Sequence, residues 1–451
     1  MNEFPKGFVW GSSTSAYQIE GAHNEDGKGP SIWDVISRTK GAVANGDTGE
    51  VASDHYHRMD EDLGLMKSIG LRAYRFSTAW ARVLPEGKGK VNEQGLDFYD
   101  RLVDGLVGAG IEPFLTLYHW DMPLELHRQG GWLNRDIAEW FGEYSAIVAD
   151  RLGDRVKHWM TINEPQVFCN MGYSAQNRGH ESAGLTFAER MRVVHNVLRS
   201  HGTSVQAIRA HAKAPAQIGW APVGVVKYPA TDRPEDIAAA KADTMSVKPD
   251  NYWNNTWYND PIFFGHYPED GLAAYGKDAP EIEPGDMELI SQPIDWLGVN
   301  IYQGIAVRAG KDGPEDLPFA PGHPRTHFAW PITPEVLRWG PLWHWERYKV
   351  PVYVTENGYS GADWVSLDGQ VHDPQRIDFL RRYLRELRKA VADGADIRGY
   401  FHWSLLDNFE WAEGYQQRFG LVHIDYPTGT RTPKDSAAYY KGVIESNGAC
   451  L

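Results

Sequence analysis

The chain has 451 residues, with 45 Lys plus Arg against 60 Asp plus Glu and a formal net charge of −15. A protein that tracks phosphates needs a basic stripe, so this balance, with no run of Lys/Arg, argues against nucleic acid. Mean hydropathy is −0.49, and no apolar stretch reaches the roughly 18 residues of a membrane helix.

The N-terminal Met1-Asn2-Glu3-Phe4-Pro5-Lys6-Gly7 carries no secretion signal and leads directly into a first strand, so a cytoplasmic protein is expected. Eight β-type runs then alternate with stretches of helical period. They are Phe8–Tyr17, Ala73–Thr78, Pro113–His119, His158–Asn163, Gln217–Pro222, Trp296–Tyr302, Val350–Thr355 and Arg398–Ser404. Pro113–Leu117 and Val350–Thr355 are nearly continuous apolar or β-branched runs, as in strands buried on both faces. Between the first two strands, Leu63, Met66 and Ile69 predict a helix over Asp60–Ile69. Before the last strand, Asp373-Pro374 supplies an N-cap and a first-turn proline. Ile377, Leu380, Leu384, Leu387 and Val391 then line one face, and Gly394 follows as a stop.

Eight strands alternating with helices predict an α/β fold, a single (β/α)8 TIM barrel domain over residues 1–451. A doubly wound sheet is disfavoured, because no glycine-rich fingerprint follows a strand; Gly105, Gly108 and Gly110 precede one. Long loops are expected over Gln166–Gly184, Val223–Gln292 and Gly304–Pro341, and such loops usually shape a barrel's active site. Cys169 and Cys450 are the only cysteines, which excludes a disulfide framework and a cysteine-rich zinc site. His55 and His57 form a His-X-His pair with no evident third ligand, so no metal is expected, and Cys169 reads as a packing residue. The sequon Asn254-Asn255-Thr256 is a chance match in a chain with no secretion signal. The 18 Trp, 22 Tyr and 16 Phe suggest flat apolar platforms, onto which the C–H faces of sugars stack.

In a barrel the chemistry sits where strands end. Polar groups cluster at those points: Gln18 and Glu20 after strand one, Arg75 in strand two, and His119 and Asp121 after strand three. Asn163-Glu164-Pro165 ends strand four, Asn300-Ile301-Tyr302 strand six and Thr355-Glu356-Asn357-Gly358 strand seven. Trp403 lies in strand eight, with Asn408-Phe409-Glu410-Trp411 beyond it. Capping does not account for so many polar strand ends. Glu164 and Glu356 would face one cavity, and paired carboxylates without a metal cluster are the equipment of glycoside hydrolysis. One must be protonated and the other ionised, so their environments must differ.

These motifs resemble glycoside hydrolase family 1, the β-glucosidase family, from Phe8 to about Tyr440. The matching segments are Phe8-Val9-Trp10-Gly11 through Gly21, Tyr74-Arg75-Phe76-Ser77, Tyr118-His119-Trp120-Asp121, Thr161-Ile162-Asn163-Glu164-Pro165, Thr355-Glu356-Asn357-Gly358 and Asn408-Phe409-Glu410-Trp411. The resemblance implies a retaining exo-β-glucosidase, with Glu164 as general acid/base and Glu356 as nucleophile, roughly 5–5.5 Å apart. It implies that Arg75 and Tyr302 hold Glu356 ionised, and that burial and Glu356 keep Glu164 protonated. Asn163 would bond the 2-OH, with Asn300 supporting the pair. Gln18, His119, Glu410, Trp411 and Phe419 would serve substrate binding, and Trp403 would stack under the sugar ring. Trp330 and Gln166 would face the leaving group. No cofactor is implied, and the partner would be a small-molecule β-glucoside or oligosaccharide.

The chain departs from the family on the leaving-group side: Gln166 stands where many members carry an aromatic, and His180-Glu181-Ser182-Ala183-Gly184 replaces His-Ala-Pro-Gly. Phospho-glycosidases of the family place Ser, Lys and Tyr where Glu410, Gln417 and Phe419 stand, and thioglucosidases replace the acid/base Glu with Gln. Both resemblances therefore favour an O-glycosidase acting on unphosphorylated sugar. Broad β-glucosidase, β-galactosidase and β-fucosidase activity, transglycosylation, a non-catalytic sugar receptor and cleavage of internal bonds remain the alternatives.

Overall fold

The computed structural model describes residues 3–170, 184–249 and 251–451. Eight parallel strands close into a barrel: β1 (Val9–Ser13), β2 (Ala73–Ser77), β3 (Glu112–Tyr118), β4 (His158–Asn163), β5 (Gln217–Ala221), β6 (Trp296–Asn300), β7 (Val352–Asn357) and β8 (Ile397–Trp403). Each pairs with its neighbours in chain order, and β1 closes the ring on β8, from Val9 opposite Gly399 to Ser13 opposite Trp403. β2, β6 and β7 are buried along their whole length, and the continuous runs read at Pro113–Leu117 and Val350–Thr355 fall on β3 and β7.

The barrel is plugged, not hollow. Ala73, Phe114, Met160, Ala221, Trp296, Tyr353 and Phe401 form a separate apolar cluster, one residue from each of seven strands, with Val9 of β1 against it. Phe114 lies 4.8 Å from Phe401 and 5.7 Å from Tyr353, ring centre to ring centre. Each large side chain so buried stabilises the fold by about 1.5–3 kcal/mol relative to exposure. Glycine makes the close fit possible: a Cβ on Gly219 would stand 2.5 Å from the Trp296 ring. The plug comes mostly from the N-terminal halves of the strands and so leaves the C-terminal ends open for chemistry.

Helices wrap the outside. His55–Ile69 covers the β1–β2 connection and Glu93–Gly108 the β2–β3 connection. Ile137–Leu152 packs against Phe187–His211, and Val336–Tyr348 against Pro374–Ala392. Pro374–Ala392 starts after Asp373 as expected, and Gly394 has φ +99°. Among the described residues, no helix is long and apolar enough to cross a membrane.

Three expectations need correction. The first strand ends at Ser13, and Ala16–Ile19 forms a helical turn, so Thr14–Tyr17 are not strand residues. The chain turns there because Thr14 N–H donates to Arg75 O and Ala16 N–H to Ser77 Oγ, both on β2. The helix expected from Asp60 begins five residues earlier, at His55. The stretches expected as long loops are also partly built. Val226–Pro229, Gly304–Gly310 and Gly313–Asp316 form a small outer sheet, and four helices lie between Pro234 and Ile290.

Candidate active site

The strand ends open into a cavity of about 820 Å³, lined by both Glu164 and Glu356. Glu164 follows β4 directly. Its N–H donates to Ala221 O of β5 at 2.8 Å, and its φ is +45°. Trp120 (φ +77°) and Trp411 (φ +49°) line the same cavity. Non-glycine residues in this region cost about 1–3 kcal/mol each and persist where the surroundings demand a particular aim.

Glu356 lies in β7 under two restraints. Arg75 of β2 forms a salt bridge to Oε1, and Tyr302 Oη donates to Oε2 at 2.8 Å. Arg75 is itself fixed: it donates to Thr355 O at 3.1 Å, Thr116 Oγ1 at 3.3 Å and Asn163 Oδ1 at 2.5 Å. Among the described residues, no cation forms a salt bridge with Glu164. Asn300 Nδ2 donates to its Oε1 at 3.0 Å and to Asn163 Oδ1 at 2.9 Å, while Thr355 Oγ1 locks Asn300 Oδ1 at 2.6 Å.

The two carboxyls are therefore chemically unequal. Burial raises both pKa values. At Glu356 the Arg75 charge and the hydrogen bonds from Arg75, Tyr302 and Asn300 pull back toward the anion. At Glu164 burial is reinforced by the charge on Glu356, which leaves it well above the usual range. Glu356 is the member that ionises first, and Glu164 the one that keeps its proton.

Around this pair stands a polar and aromatic bowl. Gln18 Nε2 donates to Glu410 Oε2 at 3.2 Å and to Phe409 O at 3.0 Å, and its Oε1 accepts from Ser15 Oγ. Burial and then Glu356 push the Glu410 carboxyl up to about 8. Asn163 Nδ2 lies 3.2 Å from His119 Nε2. Burial, then Arg75, hold the His119 imidazole well below its usual range, so the ring is neutral. It stacks between Trp403 at 5.7 Å and Trp411 at 6.1 Å, within 16° of parallel to each. Toward the mouth, Tyr302, Trp330 and Phe419 pack together, with Trp330 5.0 Å from Tyr302 and 5.9 Å from Phe419.

The structure thus brings Arg75, Asn163, Glu164, Asn300, Tyr302 and Glu356 into one network, with Gln18, His119, Trp403, Glu410, Trp411 and Phe419 around it. Trp330 lines the outer part. Gln166 does not. It is fully buried, donating to Val223 O and Asn254 O and accepting from Val223 N–H, so it ties two loops together behind the wall. Of the altered segment His180–Gly184, residues 180–183 lie outside the described residues.

His55 and His57 point apart. His55 Nδ1 contacts Asp62 at 2.7 Å in the interior, while His57 contacts Asp54 and Glu25 at the surface. Among the described residues, no group of three or more His, Cys, Asp or Glu could hold a metal. Cys169 is buried, and Asn254 of the sequon is buried with its amide donating to Asn251 O and Tyr275 Oη.

Sequence reasoning missed several contributors. Trp120 packs 4.8 Å from Trp411 and donates to Asn163 O at 3.1 Å. Its signal was its place directly after His119. Thr116 and Thr355 steady Arg75 and Asn300, and a lone threonine in an apolar strand was the available hint. Phe328, Lys227, Arg325 and Glu413 line the cavity from loops and carried no sequence signal.

Comparison with known proteins agrees with this geometry. The glycosyl hydrolase family 1 model matches residues 1–449. The 1,4-beta-D-glucan glucohydrolase of Thermotoga neapolitana is 45% identical over 452 residues, covering 99% of each chain. Beta-glucosidase A of Acetivibrio thermocellus is 44% identical over 456 residues, again covering 99% of each. The structure of the Thermotoga maritima beta-glucosidase in complex with castanospermine superposes with a TM-score of 0.89 at 43% identity, covering 99% of each chain.

Proposed function

This chain belongs to glycosyl hydrolase family 1, and from that premise we propose that it is a retaining β-glucosidase, one catalytic domain over residues 1–451 that removes terminal nonreducing β-glucosyl residues from small β-glucosides or oligosaccharides. The observation that carries this reading is the inequality of two buried carboxyls on one cavity: Glu356 held by Arg75 and Tyr302, and Glu164 held, among the described residues, by a neutral amide. The solved structures of the Thermotoga maritima relative with castanospermine and with deoxynojirimycin support a sugar-sized occupant.

In the first step a Glu356 oxygen attacks the anomeric carbon, while Glu164 gives its proton to the glycosidic oxygen. The C–O bond breaks, the aglycone leaves as a neutral alcohol, and the sugar is bound to Glu356 as an ester. Esterification removes the charge on Glu356 that had kept Glu164 protonated. Glu164, now a carboxylate, takes a proton from water as that water attacks the anomeric carbon from the side the aglycone left. Glucose departs with its configuration retained, and both carboxyls return to their starting states. Asn163, oriented by Arg75 and Asn300, bonds the 2-OH. Gln18, His119, Glu410 and Trp411 bond the other hydroxyls, and Trp403 carries the ring face.

A substrate panel tests this, run on purified protein without added metal: p-nitrophenyl β-glucoside, β-galactoside, β-fucoside and β-glucoside 6-phosphate, with cellobiose, laminaribiose and sophorose. The β-glucoside is expected to turn over, and Glu356→Ala to abolish it. Preference for the 6-phosphate, or no turnover by folded protein, would contradict the reading.

A further inference from the structure

The outer end of the cavity carries two cations, Lys227 and Arg325, beside the aromatic rings of Phe319, Phe328 and Trp330. Their charges are spent differently. Lys227 Nζ lies 2.8 and 2.7 Å from the two oxygens of Asp316, on another strand of the same outer sheet, so its charge is already met. Arg325 pairs with no carboxylate among the described residues. Its Nη1 donates to Ala329 O at 2.8 Å, and its guanidinium carbon lies 5.5 Å from the centre of the Phe319 ring. A guanidinium has five N–H donors, so most of its fork is open to a ligand.

The rest of the cavity carries the opposite sign. Glu164, Glu356, Glu410 and Glu413 all line it; burial and the charge on Glu356 hold Glu164 and Glu410 toward their neutral forms, so the negative charge rests on Glu356 and Glu413. An anionic group on a substrate is repelled at the inner end and, among the described residues, finds an unspent counter-charge at Arg325. Phe328 and Trp330 are stacked at 4.5 Å and 26° and give a planar ring an apolar face close to that fork. Arginine beside aromatic faces suits a flat group carrying a carboxylate, because the fork matches the carboxylate's two oxygens and the ring stacks.

We propose that Arg325 is a specificity-determining residue that favours aryl β-glucosides whose aglycone carries a carboxylate. This rests on the β-glucosidase reading and adds the class of leaving group. The carboxylate stays on the departing phenol and takes no part in bond breaking, so its effect falls on binding of the intact glucoside.

The test compares kcat/KM for 4-carboxyphenyl β-glucoside and 4-(hydroxymethyl)phenyl β-glucoside at neutral pH, in the parent protein, Arg325→Gln and Arg325→Lys. The two phenols are close in acidity, so their ratio isolates the charge. Arg325→Gln is expected to lower the carboxylate-to-neutral ratio about fivefold, mostly through KM, and Arg325→Lys to restore part of it. In the parent the ratio should also fall with added salt, as an exposed charge contact is screened. An unchanged ratio in Arg325→Gln would overturn the proposal. Failure of the parent protein to turn over the neutral glucoside would instead remove the β-glucosidase reading, and the proposal with it.

Discussion

The two ends of the cavity are built from different material. The inner end is made of strand ends and their first turns, where Arg75, Asn163, Asn300 and Thr355 hold one another in buried hydrogen bonds. The mouth is made of loops and the outer sheet, where Trp330, Phe328 and Phe319 are only partly buried and Arg325 is exposed. The inner end fixes which atoms react, and fixed dipoles in a dry site need no rearrangement as charge develops. The mouth offers surface and charge, which grade leaving groups without touching the chemistry. Changes at the inner end should therefore affect every substrate alike, and changes at the mouth should affect substrates selectively.

The largest test of that contrast is Glu356→Ala. Loss of the nucleophile is expected to lower kcat by about 10⁴-fold or more for all β-glucosides, as steady-state assays across several leaving groups would reveal. Arg75→Met should come next. It leaves Glu356 buried without its counter-charge, which costs about 3–5 kcal/mol. Thermal unfolding should show a lower Tm. The acid limb of the kcat/KM profile should also move to higher pH, because Glu356 must be ionised to attack and Arg75 is what pulls it toward the anion.

Glu164→Gln sharpens the comparison from the other side. The parent should lose activity at high pH as Glu164 gives up its proton, and the variant should lose that limb along with about 10²–10⁴-fold in rate for poor leaving groups. Glucosides of acidic phenols, which need little protonation, should suffer far less in their first step. Trp330→Ala should have a smaller and selective effect. Aryl glucosides should lose about five- to tenfold in kcat/KM through lost stacking, while hydrolysis of the glycosyl-enzyme, in which the aglycone has already left, should be unaltered in pre-steady-state assays. The smallest effect on specificity belongs to Gln166→Leu. Its three backbone partners would be left unpaired, so the Tm should fall, yet the ranking of leaving groups should hold.

What the sequence revealed follows the same division. β4 was readable to the residue, and β2, β3, β5, β6, β7 and β8 to within two, because burial on both faces favours apolar and β-branched runs. The grouping around Glu164 and Glu356 was readable because its members sit at or near strand ends, where polar groups have no structural reason to gather. Thr14–Tyr17 were misassigned to a strand because the turn there is made by bonds to Arg75 O and Ser77 Oγ on β2, which no local pattern records. Gln166 was expected to face the leaving group. It follows Glu164 by two residues, but two positions are about half a helical turn, which aims them to different sides, and its amide is spent on Val223 and Asn254. The mouth was least legible. Arg325 and Phe328 reach the cavity through loops whose course depends on tertiary contacts, not on periodicity.

The most direct test of the central claim, that Glu356 attacks and Glu164 delivers the proton, is the anomer formed when azide rescues the two alanine variants. With a glucoside of an acidic phenol, Glu164→Ala should still form its glycosyl-enzyme, and azide should displace Glu356 to give the β-glucosyl azide. Glu356→Ala should take azide directly at the face the nucleophile vacated and give the α-glucosyl azide. Nuclear magnetic resonance distinguishes the two products. The reverse pairing of anomers would contradict the assignment.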